Sequence, residues 1–394
     1  MAASHLLLHL FLSLLTIKHL LAAQTTLFHG GFLLDVTKDP QTLQYTTHLL
    51  IGTPQLHTKL VVHLSGQSLW LNCAQSSSSR QLVSHGSLPC SMAKSGAQIL
   101  VAPTICDIHE ENPITGSANF GDLAEDIVTI VGDLGSAETV ERFLFSCSGE
   151  NLLKGLATGA KGMLGLGRSK IAFQSQAINN FDIPRKFTMC LSSSSDGFIL
   201  SGASISKSLS YTPLISPNGQ DGYYVNVKSI KINGRRLALH DGGQPVKGLE
   251  ISTVVPYTTM KTPIYETFTK AYATAARSMN LTSVAPVAPF GVCFSSQQTV
   301  PEIELALQSE LVKWRIQGRN SMVQVSDSVM CLGFVDGGLD MSSSVVLGGY
   351  QMEDHILEFN LGTGMMGFSR SLLMEGNSCS NLKRTLVSNP TESL

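Results

Sequence analysis

The stretch "KLVVHLSGQSLWLNC", Lys59 to Cys73, decides how this chain is read. It runs as an apolar strand, a turn of small residues and a second apolar segment carrying Trp70. The first polar side chain after the apolar run is His63, followed by Leu64, Ser65 and Gly66. A segment of the same kind, "EISTVVP", lies at 250–256. Each is followed, about one hundred residues on, by an apolar-apolar-glycine element, "GMLGLGR" at 162–168 and "SVVLGGY" at 344–350. A duplicated unit of this size predicts two similar lobes, 24–205 and 206–394.

The surrounding composition is that of a folded chain. Hydrophobic residues make up 43% and charged ones 14% of 394 positions. That length suits two domains rather than one core. The net charge is −2 and the pI is about 6.6, with no basic stripe, so neither nucleic acid nor an anionic membrane is an expected partner. Residues 1–23, "MAASHLLLHLFLSLLTIKHLLAA", read as a secretory signal cut near Ala23. Lys18 and the histidines interrupt the run, which argues against a membrane anchor, and no later run approaches the roughly 20 apolar residues of a span. A secreted chain with eight cysteines is expected to form four disulfides. None has C-x-x-C spacing, so zinc is not expected, and the pairing cannot be read from spacing. The one usable glycosylation triplet is Asn280-Leu281-Thr282, because Asn389 precedes Pro390.

Short apolar or alternating runs such as "DIVTIV", "RFLFSC" and "GFILSG", punctuated by Gly, Pro, Asn and Ser, predict a mostly β protein. "YVNVKSIKIN" alternates as a strand, and Asn233-Gly234 reads as a hairpin turn. Helical spacing is confined to 169–180 and 262–279. In the second, Ile264, Phe268, Tyr272 and Ala275 recur at three or four, and Pro263 sits at a tolerated N-terminal position. Gly162, Gly165 and Gly167 lack the context and lysine of a phosphate loop and read as turns of a β lobe. "HEEN" at 109–112 is not a zinc helix. Trp70, Trp314 and Phe368 read as core.

The order of motifs carries a resemblance over nearly the whole mature chain. "VTKDPQTLQY" (36–45), "FLFSC" (143–147), "KFTMCLS" (186–192), "ISTVVPYT" (251–258), "APFGVCF" (288–294), "WRIQGRNSMV" (314–323), "CLGFVDGG" (331–338) and "VVLGGYQMED" (345–354) join the opening stretch. Together they resemble pepsin-like aspartic proteases, in the plant branch of basic 7S globulins, extracellular dermal glycoproteins and cereal xylanase inhibitors. The resemblance implies a bilobal, mostly β pepsin-like acid protease fold, with two pseudo-symmetric lobes and a central cleft. It also implies two catalytic acids, one per lobe. The first lies seven residues before a Trp, and counting back from Trp70 lands on His63. The second position, counted from Tyr265, is Ser252. Aspartic proteolysis needs two carboxylates sharing one proton. An imidazole and a hydroxyl cannot do this, and the threonine that braces the first turn is Leu64. The hairpin over the site also lacks its tyrosine before Asp126. A Ser-His pair could make a nucleophile and base, but no acid is evident to orient the histidine. The expectation is a pseudoenzyme without catalytic residues, metal or cofactor.

The resemblance further implies the pairs Cys73–Cys147, Cys90–Cys106, Cys293–Cys331 and Cys190–Cys379. It implies secretion to the apoplast or cell wall and a partner that is a secreted glycoside hydrolase (xylanase or xyloglucanase), in plant defence, or else a storage or peptide-binding role. Residual peptidase activity is the least supported reading. Family inhibitors carry an Arg or His in the loop before the last cysteine. Here "LLMEGNSC", 372–379, offers Glu375 and neither.

Overall fold

The computed structural model describes residues 31–94, 104–131, 137–194, 196–217, 222–238, 240–241, 244–245, 248–296 and 299–388. The expected signal segment lies outside them. The chain is dominated by strands, as the short runs imply. The strand Leu56–His63 lies parallel to Gly162–Gly165, with Val61 opposite Met163 and His63 opposite Gly165. Gly162–Gly165 also runs antiparallel to Leu69–Leu71, which lies parallel to the end of Ala137–Cys147. The second half repeats this. Gly248–Ile251 lies parallel to Val345–Leu347, which runs antiparallel to Thr258–Met260, and that strand lies parallel to Phe334–Asp336. The two units found as a repeat are thus the same strand weave built twice.

The weave depends on backbones crossing closely. A Cβ on Gly165 would lie 2.1 Å from the Ser68 carbonyl oxygen, and one on Gly348 would lie 2.4 Å from the Tyr257 carbonyl carbon. Only glycine fits at either crossing. This is the structural role of the glycine run that superficially suggested a nucleotide loop.

One antiparallel sheet carries strands from both halves. Its order is Phe32–Lys38, Asp196–Ser201, Lys186–Cys190, Ile356–Asn360, Met365–Phe368, Ser210–Ile215. Strand alternation divides its side chains between two faces. Phe187 and Phe359 stack at 5.0 Å in the main core, while Leu33, Phe198, Leu200 and Ile356 form a second cluster with Leu372, Leu382 and Leu386. Helix Cys379–Ser388 covers that second face. It forms because Cys379, Leu382 and Leu386 recur at three and four, and because its start is capped twice. Ser378 Oγ accepts from Asn381 N at 3.1 Å, and Asp354 Oδ1 accepts from Cys379 N at 2.9 Å. Burying each leucine contributes about 2 kcal/mol.

Cysteines join Cys73 to Cys147, Cys90 to Cys106, Cys190 to Cys379 and Cys293 to Cys331, the pairs the resemblance implies. Cys190–Cys379 fastens the terminal helix to the shared sheet. The Cα atoms of Cys293 and Cys331 are 4.0 Å apart, closer than in the other pairs, because these residues sit directly opposite on neighbouring antiparallel strands.

Three local expectations shift. "YVNVKSIKIN" is not one strand: Tyr224–Asn226 joins the sheet of Gly248–Ile251, and Ser229–Ile232 joins a separate sheet against Ile303–Ala306. The following Asn233-Gly234 turn has φ of 48° and 79°, the left-handed pair of a tight hairpin. The helix expected over 169–180 begins at Phe173, because Ser169 Oγ accepts from Ala172 N and holds a turn first. In helix Thr262–Ser278 the buried stripe is Ile264, Phe268, Tyr272 and Ala276, so the spacing of four continues and Ala275 is only half-buried. Trp70, Trp314 and Phe368 are all core, and Trp314 stacks on Phe368 at 5.2 Å.

Candidate functional site

His63 ends its strand and Ser252 directly follows its own, so the weave presents both at the same place in each unit. The two loops touch. Thr253 Oγ1 donates to the Val62 carbonyl at 2.7 Å and accepts from Leu64 N at 3.0 Å. One threonine of the C-terminal lobe thus grips the backbone on either side of His63. The reciprocal grip is absent, because Leu64 is fully buried and has no hydroxyl. Val254, two residues after Ser252, turns into the core beside Trp70 and Met163.

The His63 backbone carbonyl accepts from Leu166 N at 3.0 Å and Gly66 N at 3.1 Å. Its ring lies over Gly66, where a Cβ would come within 2.8 Å of Nδ1. Among the described residues nothing hydrogen-bonds the ring. The ring is partly exposed, but the protein around it desolvates it and pushes its pKa down to about 4, with no neighbouring charge contributing. Ser252 is 5% exposed; its N–H donates to the Leu347 carbonyl and its Oγ accepts from Val254 N at 3.4 Å. Among the described residues no carboxylate contributes to the His63 shift, and the two loops present an imidazole and a hydroxyl. Groups of metal-binding side chains are absent among the described residues.

A buried carboxylate, Glu110, bonds Ser68 in the segment that follows His63. The hairpin Asp107–Asn112 and Ser117–Val131 meets the first loop at Ser68, and its turn is held by Asn112, which accepts from Ile114 N at 2.9 Å. Glu110 on its inner face is 6% exposed and accepts from Ser68 Oγ at 2.5 Å. Burial raises its pKa to about 7, against the hydrogen bonds of Ser68 and Ser146. The signal was present in "DIHEEN": in a strand, alternate residues face the same side, so one of two adjacent glutamates must turn inward.

The structure places Asn280 exposed, two residues beyond helix Thr262–Ser278 and at φ 62°. The loop before Cys379 holds Glu375 against Lys207 at 3.2 Å, and leaves Met374 67% exposed.

A duplicated strand weave, a sheet shared by both lobes and two touching loops at the pseudo-symmetric positions define a pepsin-like fold. The structure of an aspartic proteinase from Irpex lacteus, 14% identical, has the same fold, with a TM-score of 0.58 over 86% of this chain and 97% of its own. The families described as Xylanase inhibitor N-terminal and Xylanase inhibitor C-terminal match residues 45–203 and 222–370, and the chain belongs to this plant pepsin-like branch. It is 39% identical to the Probable aspartic proteinase GIP2 of Nicotiana benthamiana, over 96% of this chain and 98% of that one. The crystal structure titled edgp is 39% identical, with a TM-score of 0.83 over 89% of this chain and 97% of that chain. The basic 7S globulin from soybean is 32% identical, with a TM-score of 0.81 over 90% and 99%. Among the described residues no helix is long and apolar enough to cross a membrane.

Proposed function

We propose that this protein is a secreted, catalytically inactive member of the branch that binds and inhibits a secreted glycoside hydrolase. The observation carrying this reading is a surface of the C-terminal lobe. Leu311 is 91% exposed and Met374 67% exposed, and both line a cavity of about 300 Å³ with Lys313, Arg315 and Arg370. Lys313 and Arg315 pair with Glu302 and Glu304, whereas Arg370 makes no ion pair among the described residues. Exposed apolar anchors around a cation suit an acidic partner cleft. A glycosidase cleft offers one in its paired carboxylates. Glu375, which argued against this loop from sequence alone, is paired with Lys207, and Arg370 supplies the positive charge just before the loop. Four disulfides favour an oxidising compartment, and exposed Asn280 is a suitable acceptor for a glycan.

The test is binding and inhibition against secreted xylanases and xyloglucanases, with the double variant Arg370→Glu, Met374→Asp. The expected result is inhibition that the variant loses while its melting temperature is unchanged. Absence of binding by the parent across the panel would reject the reading. The likeness to basic 7S globulin favours a second reading, a storage or peptide-binding role in seed or wall. Retention of a peptide without hydrolase binding would select it.

A further inference from the structure

A separate cavity of about 600 Å³ opens where the end of strand Phe32–Lys38 and the loop at Ser193 meet the C-terminal lobe. Such volumes fall within the roughly 300–1,000 Å³ of small-molecule sites. Its wall contains a built polar group. Glu353 is 2% exposed, and its Oε1 accepts both from Lys38 Nζ at 2.5 Å and from Tyr45 Oη at 2.7 Å. Its other oxygen, Oε2, accepts nothing from the described residues, although the side chain lines the cavity. Oε2 keeps contact with the cavity's solvent and is open to a donor that enters there.

The rest of the wall narrows the donor's chemistry. Met322 and Met330 are buried, and their thioethers pack well against an aromatic ring. Arg319 is exposed and makes neither an ion pair nor a hydrogen bond among the described residues. Lys38 and Arg319 against Glu353 leave one positive charge in excess. A cationic amine approaching Glu353 would meet Lys38, whose Nζ lies 5.7 Å from the centre of the Tyr350 ring. A neutral hydroxyl meets no such repulsion. A simple alkyl acid would offer Oε2 no donor of its own.

We propose that this cavity binds a small aromatic monocarboxylate bearing a ring hydroxyl. Its carboxylate meets Arg319, its ring packs against Met322 and Met330, and its hydroxyl donates to Glu353 Oε2. The site shares no residue with the Leu311–Met374 surface, so either proposal can fail alone.

The experiment is calorimetric titration of the full secreted chain with 4-hydroxycinnamate, its methyl ester and unsubstituted cinnamate. Because Glu353→Gln also disturbs the buried Lys38 pair, the exposed Arg319→Ala variant and the ligand series carry the test. The expected result is saturable binding of 4-hydroxycinnamate. Hydrogen bonds to charged groups predict weakening on the order of tenfold for the ester, for cinnamate and for Arg319→Ala. No saturable binding of 4-hydroxycinnamate at millimolar concentration would overturn the proposal. So would equal affinity for all three compounds, or affinity unchanged by Arg319→Ala.

Discussion

The two loops at the floor of the cleft share one scaffold and differ in what they hold. In the C-terminal loop Thr253 reaches across and makes two hydrogen bonds to the partner loop. In the N-terminal loop Leu64 sits at the matching place and returns none. Yet the parallel strand pair behind each loop is intact, with His63 opposite Gly165 and Ile251 opposite Leu347. The difference teaches that the weave and its glycine crossings hold the loops with a side-chain brace from one side alone. Chemistry and architecture are separable here because they rest on different atoms: side-chain carboxylates for the first, backbone pairing and the space at Gly165 and Gly348 for the second.

The comparison breaks most sharply at those crossings. Gly165→Ala and Gly348→Ala each force a Cβ to within 2.4 Å or less of backbone. Each is expected to cost several kcal/mol and to abolish recovery of folded protein, which yield and circular dichroism would report. A normal melt for either variant would mean that its crossing is not tight.

Next in size is the surviving brace. Thr253→Val leaves the Leu64 N–H and the Val62 carbonyl without their buried partner. Each unsatisfied group costs about 1–3 kcal/mol, so a loss of roughly 2–6 kcal/mol in denaturant unfolding is expected. Thr253→Ser, which keeps the hydroxyl, should recover most of it.

Titration sharpens the comparison further. His63 has its pKa lowered from 6.5 to about 4, so the unfolded chain takes up the proton first. Its contribution is therefore present above pH 6.5 and lost as pH falls toward 4, on the order of 2–3 kcal/mol after allowance for the ring's partial exposure. Glu110 acts in the other direction. Its pKa is raised from 4.5 to about 7, so its stabilisation is full below pH 4.5 and is lost as pH rises through 7, again on the order of 3 kcal/mol. His63→Asn should flatten the acid limb of a stability profile, and Glu110→Gln the neutral limb. A profile unchanged by either substitution would show that the group is not desolvated as described.

The smallest expected effect is on catalysis. The protein should not cleave unfolded substrates between pH 2 and 5 (a range set by dyad chemistry), roughly where two carboxylates share one proton. His63→Asp alone should leave it inert, and His63→Asp with Ser252→Asp should add only weak cleavage, because Leu64 still lacks the brace. A displacement of about 1 Å costs catalysis on the order of 10²-fold. Pepstatin-sensitive cleavage by the unmodified chain would reject the pseudoenzyme reading.

Much of this was written in local patterns. The two strand-turn units showed as a repeat because identical backbone weaves need the same apolar-apolar-glycine order. Helix Thr262–Ser278 showed through its spacing, and the family motifs gave the positions of His63 and Ser252. Less legible was anything that depends on what faces what. "YVNVKSIKIN" alternates throughout, yet splits between two sheets, since alternation reports a strand but not its neighbour. Glu110 is hard to single out among the adjacent charges of "HEEN", because its partners are distant: Ser68, 42 residues away, and Ser146.

The sequence by itself determined that the chain is a two-unit β protein of this branch, and that His63 and Ser252 stand at the ends of its two repeated strand-turn units. Those are matters of residue identity and short-range order. Only the tertiary structure decided that Thr253 braces the opposite loop, that Lys207 pairs with Glu375, and that Lys38 and Tyr45 converge on a single oxygen of Glu353. Each of these joins residues more than 160 positions apart. Their energies depend on distance and burial, which folding sets and which no local window of the sequence contains.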